Sequence, residues 1–468
     1  MYQAVHIAAE CFPIAKVGGL GDVVGALPKY LTAEGIKTCV MLPRYNQKWN
    51  ATHTSTPIHH GVISAENFHM HYFIHKIPDA DFGFDIYWVD IPEYLFREGV
   101  YGYRDDAMRF LFFQQAALGW ICTWEKKPDV LHCHDHHTGL IPFMIHNCPC
   151  YSMLSGIKTV FTIHNGLYTG AFPISLSKYF PDFSYQSKGL LEWDDVINPL
   201  ASAIKCCDRL TAVSAGYLDE LKFQSNPMNW LYNEYWQKSK GIVNGIDTDV
   251  WNPETDDHLT VKLENDWEFF KNENKKAICE SMGLNPELPL LVYVGRLNTE
   301  KGAEILLQAA NRFLHQNRIF NFYILGSGAD YLEENIRHLS GSFPNHVANY
   351  IGYNEALAHK LYAAADFLIM PSLVEPCGLN QMYAMRYGTI PIVRAVGGLK
   401  DTVVDYGDEN GYGLRFNKAD IGDIITSLYR AAVLYKDKTL FKKVRNIAVG
   451  LDFSWTKAVK QYIELYKN

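Results

Sequence analysis

The chain has 468 residues, 48% hydrophobic and 20% charged, with a formal net charge of −8. One core rarely serves such a length, so two domains are expected. The acidic balance argues against a general nucleic-acid binder. No apolar run approaches the ~20 residues of a membrane-spanning helix, so no membrane association is expected. The start, "MYQAVHIAAE", lacks a basic region followed by an apolar core and reads as a first strand. The 10 cysteines are scattered without zinc-site spacing, which suits a reduced, cytoplasmic protein.

In chain order, short apolar runs alternate with amphipathic stretches, the pattern of parallel sheets covered by helices. Strands are expected at "AVHIAA", "KTCVML", "FDIYWVD", "DVLHCH", "KTVFTIH" and "RLTAVS". Between the first two, "GGLGDVVGALPKYLTAEG" predicts a helix opened by glycines and stopped at Gly35. A polar stretch over 244–285 follows, and the domain boundary is placed near Asn244. A second series then runs through "LPLLVYVGR", "RIFNFYILG", "HVANYIG", "DFLIMPS", "TIPIVRA" and "YGLRF". The expected fold class is α/β: two Rossmann-like domains with parallel sheets facing a deep interdomain cleft. Ligands would bind at the carboxyl ends of the strands.

Several strand exits carry candidate chemistry. In "AKVGGLGDVV", a strand, a glycine-rich loop and a helix would offer backbone N–H groups to an anion, with Lys16 adding charge. The glycines at 18, 19 and 21 match neither standard nucleotide fingerprint, and a plain tight turn is the alternative. In "YVGRLNTEKGAE", Arg296 ends a strand and Lys301 opens a helix. A cation there opposes the helix dipole, so an anion such as a diphosphate should compensate it. A surface pair with Glu300 or Glu304 is the alternative.

The run "HCHDHH" invites a metal. Alternation would put His132 and His134 on one face and Cys133 on the other, and no second ligand group appears with a recognisable zinc spacing. Cleft-lining polar residues are the expectation, not a metal. "FTIHNGLYTG" places His164 and Asn165 at a strand exit, and "GIVNGID" places Asn244 and Asp247 at the hinge. Glu375, in "PSLVEPCGLNQ", leaves a strand beside Cys377 and Gly378 and ahead of a helix from Leu379. This arrangement suits a diphosphate-linked sugar, with carboxylate toward the sugar and amides toward phosphate.

At these residues the chain resembles the bacterial glycogen synthase and starch synthase family of retaining glucosyltransferases, which have the GT-B fold. The resemblance runs in order through "KVGGLGDVVGALPK", "HCHDHHTGLIP", "TVFTIHNGLYTG", "VNGID", "VGRLNTEKG", "IGY", "EPCGLNQMYAM", "GGLKDTV" and "DFSW". Tyr383 stands where many larger relatives carry a second glutamate, as in the glycogen and starch synthases.

The resemblance implies roles. Lys16, Gly18 and Gly19 would lie by the donor phosphates and glucose, and Arg296 and Lys301 would neutralise the diphosphate. Tyr353 would pack on the nucleobase, and Glu375, Cys377 and Gly378 would hold the transferred glucose. His164 and Asn165 would touch the sugar beside the reacting carbon, while Asp22 and Asp135 would shape the glucose and acceptor site. Asn244 and Leu379 complete the substrate-binding set. His136 replaces a family tryptophan. The domains implied are 1–243, acceptor-side, and 244–452, nucleotide-sugar, with 453–468 packing back on the first.

The implied reaction adds glucose to an α-1,4-glucan from a nucleotide-glucose, with ADP-glucose favoured over UDP-glucose. No cofactor or metal is expected, and domain closure would exclude water. A related GT-B transferase with a small acceptor and an inactive glucan-binding homologue are the alternatives.

Overall fold

The computed structural model describes residues 2–65, 68–78, 82–223 and 227–468. Every expected site residue lies within these ranges. The chain forms two compact units, Met1–Gly245 with Trp455–Asn468, and Ile246–Ser454. Each exchange point falls two residues beyond the boundary read from the sequence.

The first unit holds β1 (Gln3–Ile7), β2 (Lys37–Pro43), β3 (Thr56–Ala65), β4 (Phe68–Ile77), β5 (Asp85–Asp90), β6 (Val130–His134) and β7 (Lys158–Ile163). Three short strands, β8 (Phe172–Pro173), β9 (Glu192–Trp193) and β10 (Val196–Ile197), make a small separate sheet. β11 (Arg209–Ala212) and β12 (Ser239–Gly241) complete the main sheet, whose order is β12-β11-β7-β6-β1-β2-β5-β4-β3. Its inner strands are parallel and buried on both faces; all five residues of β6 are buried.

One face is covered by the helix Gly19–Ala33, through Val23, Leu27 and Leu31 at helical spacing. Beside it lies the terminal helix Trp455–Lys467, which buries Trp455, Ala458, Val459, Tyr462 and Tyr466 against Ala4, Val130, Val160 and Ile242. At roughly 2 kcal/mol per large apolar side chain, this helix is integral to the first core.

The second unit holds β13 (Leu290–Val294), β14 (Asn321–Gly326), β15 (Val347–Ile351), β16 (Phe367–Met370), β17 (Ile390–Arg394) and β18 (Leu414–Phe416). They form one parallel sheet in the order β15-β14-β13-β16-β17-β18. The order reverses between β13 and β16, which makes that pair the topological switch point.

Each strand read from the sequence exists, and two further elements were not read from it. The hairpin β3–β4 was not expected: its outward face carries His60, Val62, Ser64, His69 and His71, which blurs the alternation that marks a strand. The polar stretch 244–285 also holds an element that its composition did not mark. It contains the helix Trp267–Ser281, which buries charged residues because their ends find partners. Lys275 meets Asp366 at 2.7 Å, and Lys271 donates to Tyr362 O, Tyr387 O and Thr389 Oγ1. Trp251 of the same stretch stacks between His359 and Tyr383, each at 3.8 Å. Tyr383 is therefore a core residue of the second unit.

Candidate active site

In the first unit, the expected residues emerge at the carboxyl ends of β1, β6 and β7. The loop after β1 carries Lys16, whose ammonium pairs with Asp22 at 2.7 Å. Asp22 sits in the first turn of the helix Gly19–Ala33, where a carboxylate also suits the helix dipole.

The loop's backbone is less free than the sequence suggests. Val17 and Gly18 donate their N–H groups to Glu10 Oε2 at 2.6 and 2.9 Å, and Tyr101 donates its hydroxyl to Glu10 Oε1 at 2.7 Å. Glu10 is a buried carboxylate that sequence reasoning missed, and an internal acid already occupies two of the amides expected for an anion. Burial raises its pKa even against three donated hydrogen bonds. What remains open is the face of Gly18 and Gly19, where an added Cβ would meet nothing within 4 Å among the described residues. Gly21 and Gly25 are glycines for packing, since Cβ atoms there would crowd Glu10 and Lys16 or collide with the carbonyl of Phe12.

After β6, Asp135 adopts φ 56°, uncommon for a non-glycine residue. Its Oδ1 accepts the backbone N–H of His164 at 2.7 Å and of Asn165 at 3.3 Å. Asp135 thus braces the loop after β7, and burial lifts its pKa to about 7. Asn165 Oδ1 accepts the N–H of Leu167, which closes a local turn. His136 packs against Gly170, whose φ is 69° and whose missing side chain leaves it room. Asn244 is buried.

His132 and His134 of "HCHDHH" do not line a cleft, which corrects the sequence reading for these two. His132 and His134 are wholly buried because β6 lies in the middle of the sheet. With His6 they could supply three nitrogens within 4.8 Å of one another. Most of those nitrogens already have partners. His132 bonds Tyr466 OH at 2.7 Å and Thr162 Oγ1 at 2.6 Å, and His134 bonds His6 at 3.1 Å and His164 at 3.0 Å. A metal would have to displace these bonds.

In the second unit, the site grows from the switch point. The loop after β13 carries Arg296 and Lys301, and the loop after the neighbouring β16 carries Glu375. Lys301 Nζ lies 2.7 and 2.8 Å from the two oxygens of Glu375, and Ser372 Oγ donates to Oε2 at 2.9 Å. Glu375 is 6% exposed. The two loops are tied together by the N–H of Leu373 bonding Glu300 O, while Arg394 clamps the carbonyls of Ser372 and Leu373.

The anion beside Lys301 is therefore Glu375 in this structure, where the sequence suggested a diphosphate. Arg296 follows its alternative reading, a half-exposed pair with Glu300 at 3.5 Å. Gly378 has φ 72° and admits close packing of Gln381, which donates to its carbonyl. Cys377 is buried, its carbonyl pressed against Gly398, and Leu379 is the cap of the helix Asn380–Arg386. Tyr353, just after β15, is 71% exposed and donates to Glu355. A ring left in solvent is available for stacking.

Comparison with known proteins decides the family. A starch synthase catalytic domain model matches residues 3–234, and a glycosyl transferases group 1 model matches 274–437. A glycogen synthase from Flavobacterium johnsoniae is 45% identical over 467 residues, covering 99% of this chain and 98% of its own. The chain belongs to the glycogen synthase and starch synthase family. A Bacillus anthracis glycogen synthase is 36% identical over 98% of both chains. The catalytic domain of starch synthase IV from Arabidopsis thaliana, solved with ADP and acarbose, superposes with a TM-score of 0.90 at 32% identity, covering 100% of this chain and 99% of its own. A sucrose-phosphate synthase from Thermosynechococcus elongatus, at 18% identity and a TM-score of 0.62, shares the fold. Family membership makes this chain a glucan-elongating glucosyltransferase of the GT-B fold. Among the described residues, no helix is long and apolar enough to cross a membrane.

Proposed function

We propose that the chain transfers glucose from ADP-glucose to the 4-hydroxyl of an α-1,4-glucan end, with retention and without a metal. The observation that carries this reading is the Lys301–Glu375–Ser372 cluster at the switch point of the second sheet. A switch point is where open α/β sheets receive nucleotides and phosphates. The starch synthase IV relative, solved with ADP and acarbose, supports ADP and an α-glucan as ligand classes.

Lys301 and Arg296 supply positive charge to the departing diphosphate. Glu375 has both oxygens engaged, which makes it a weak nucleophile and a good fixed acceptor for sugar hydroxyls. That favours front-face displacement through an oxocarbenium-like state over a covalent glycosyl-enzyme. The departing phosphate then assists in deprotonating the acceptor. Gly18 and Gly19 give the donor close access to backbone, Lys16 and Asp22 fix that loop, and His164 and Asn165 meet the sugar. Asp135, held below them, sets their position. Tyr353 stacks on the base, and Cys377, Gly378 and Leu379 line the glucose subsite. Asn244 belongs to the same substrate-binding set. The 10 cysteines are all free, which supports a reducing, cytoplasmic setting.

The test follows glucose incorporation into glycogen from ADP-glucose and from UDP-glucose, each with EDTA. Transfer from ADP-glucose should persist in EDTA and be abolished in Glu375→Ala. Lys301→Ala should lose about a hundredfold in kcat, the usual effect of removing one charge-stabilising contact. A folded protein that uses only small sugar acceptors, or that needs a metal, would overturn this reading.

A further inference from the structure

A row of imidazoles runs through the first unit to His164. In the sheet, His6 of β1 stands beside His132 of β6. His6 Nδ1 lies 3.1 Å from His134 Nε2, and His134 Nδ1 lies 3.0 Å from His164 Nε2. His6 and His134 are wholly buried, and His164 alone of the three keeps some exposure, at 8%. The far nitrogen of the row, His6 Nε2, is buried without a hydrogen-bond partner among the described residues. His132 stacks on His134 at 4.1 Å but is not part of the row, because Tyr466 and Thr162 take both its nitrogens. The nearby carboxyl, Asp135, bonds to backbone N–H groups of the 164–165 loop.

Burial keeps each ring neutral at pH 7: the pKa values of His6 and His164 fall to about 3, and that of His134 lies well below its ordinary value. Three neutral imidazoles carry three ring protons. Two of them must fill the two bridging bonds, and the third sits at one end of the row. It is on His6 Nε2 or on His164 Nδ1. A proton on His6 Nε2 would be a buried N–H with no acceptor, the rarest kind of unsatisfied group. The polarity of the row therefore runs from His6 through His134 to His164.

We propose that His6 and His134 are positioning residues that hold the ring proton of His164 on Nδ1, so that this imidazole meets substrate as an obligate hydrogen-bond donor. The proposal deepens the reading of His164 as a sugar contact and rests on it. A neutral ring whose Nε2 is occupied and whose Nδ1 bears hydrogen cannot act as a base. It can only donate, toward a sugar hydroxyl or a phosphate oxygen. Fixing the tautomer from behind is how a hydrogen bond on one ring nitrogen governs the chemistry of the other.

The deciding measurement is long-range proton–nitrogen NMR of the full chain labelled with 15N-histidine, with signals assigned from single-histidine variants. Expected at pH 7 is that His6, His134 and His164 are all neutral and all carry the proton on Nδ1, the form that free histidine disfavours. A proton on His164 Nε2, or a cationic ring among the three, overturns the proposal. Kinetics with ADP-glucose and glycogen then test the consequence. His134→Gln can accept from His6 and donate to His164, so it should keep His164 in its form and kcat within about threefold of the wild type.

His134→Phe fills the space without hydrogen bonds and should lose on the order of tenfold in kcat with little change in KM. If the two variants are equally fast or equally slow, the relay does not position His164. Should His134→Phe fail to fold, the NMR result on the wild type and His134→Gln decides. Wild-type transfer by a folded His164→Ala would instead sink the sugar-contact reading, leaving the tautomer measurement to judge the row itself.

Discussion

Gly18 and Gly19 are the residues whose identity folding does not explain. Neither is among the positive-φ glycines, and an added Cβ at either would meet no atom of the described residues within 4 Å. Gly19 is also the first residue of a helix, where alanine is the better choice for stability. What a glycine offers there is close approach by something outside the chain. Gly19→Ala is therefore expected to leave the thermal midpoint equal or slightly higher while raising the KM for ADP-glucose at least about tenfold. An unchanged KM would remove the loop from the donor site. These glycines were legible in the sequence as a motif, but the reason for each was not. Gly21 and Gly25 look the same on paper and serve packing. Likewise Lys301 and Glu375 were each visible as a charge at a strand exit, whereas their contact depends on β13 and β16 being neighbours. Glu10 was invisible because nothing in "AAECFP" announces that its carboxylate turns back on the next loop.

Among the elements, the helix Trp455–Lys467 has the most consequence for its length. Its Tyr466 donates to or accepts from His132, and its carbonyl there takes hydrogen bonds from Tyr2 and Lys158. One terminal turn thus anchors β6, β7 and the residue that leads into β1. Tyr466→Phe keeps the ring and removes only the hydroxyl, leaving His132 Nδ1 buried without its partner. The expected loss is about 1–2 kcal/mol in urea unfolding, with transfer activity per folded molecule unchanged. A loss below the error of the measurement would mean that the hydroxyl bond is not formed. Parallel strands were easy to read because burial on both faces gives unbroken apolar runs, as in "LPLLVYVG" and "DFLIMP". The hairpin β3–β4 was not, because its outer face mixes histidines with the exposed apolar Val62 and Phe73, which lowers the contrast with the buried Ile63, Met70, Tyr72 and Ile74 of its inner face. The helix Trp267–Ser281 hid behind charges that only the folded chain shows to be paired.

For the molecule as a whole, the cost of enclosing so many histidines in one unit is sensitivity to acid. His6, His132, His134, His136, His137 and His164 all have pKa values lowered by burial, to about 3 for His6 and His164 and about 4 for His136. Each binds a proton near 6.5 when unfolded and refuses it in the fold. Its contribution is therefore fully present above 6.5 and is lost as pH falls toward the folded value. Asp135 opposes this, since its folded pKa of about 7 exceeds the unfolded 3.8 and the fold holds an extra proton between those limits. Glu10 is raised as well and acts in the same direction as Asp135. Near pH 5 the six lowered histidines outweigh the two raised carboxyls, so unfolding takes up protons there and stability falls as the pH falls. Urea unfolding followed at pH 7.5 and pH 5.5 should show a clearly lower midpoint at the acid pH, with the loss appearing in the first unit's transition. A midpoint that stays level or rises on acidification would mean that these rings are not enclosed as neutral groups, and the histidine row leading to His164 would fall with them.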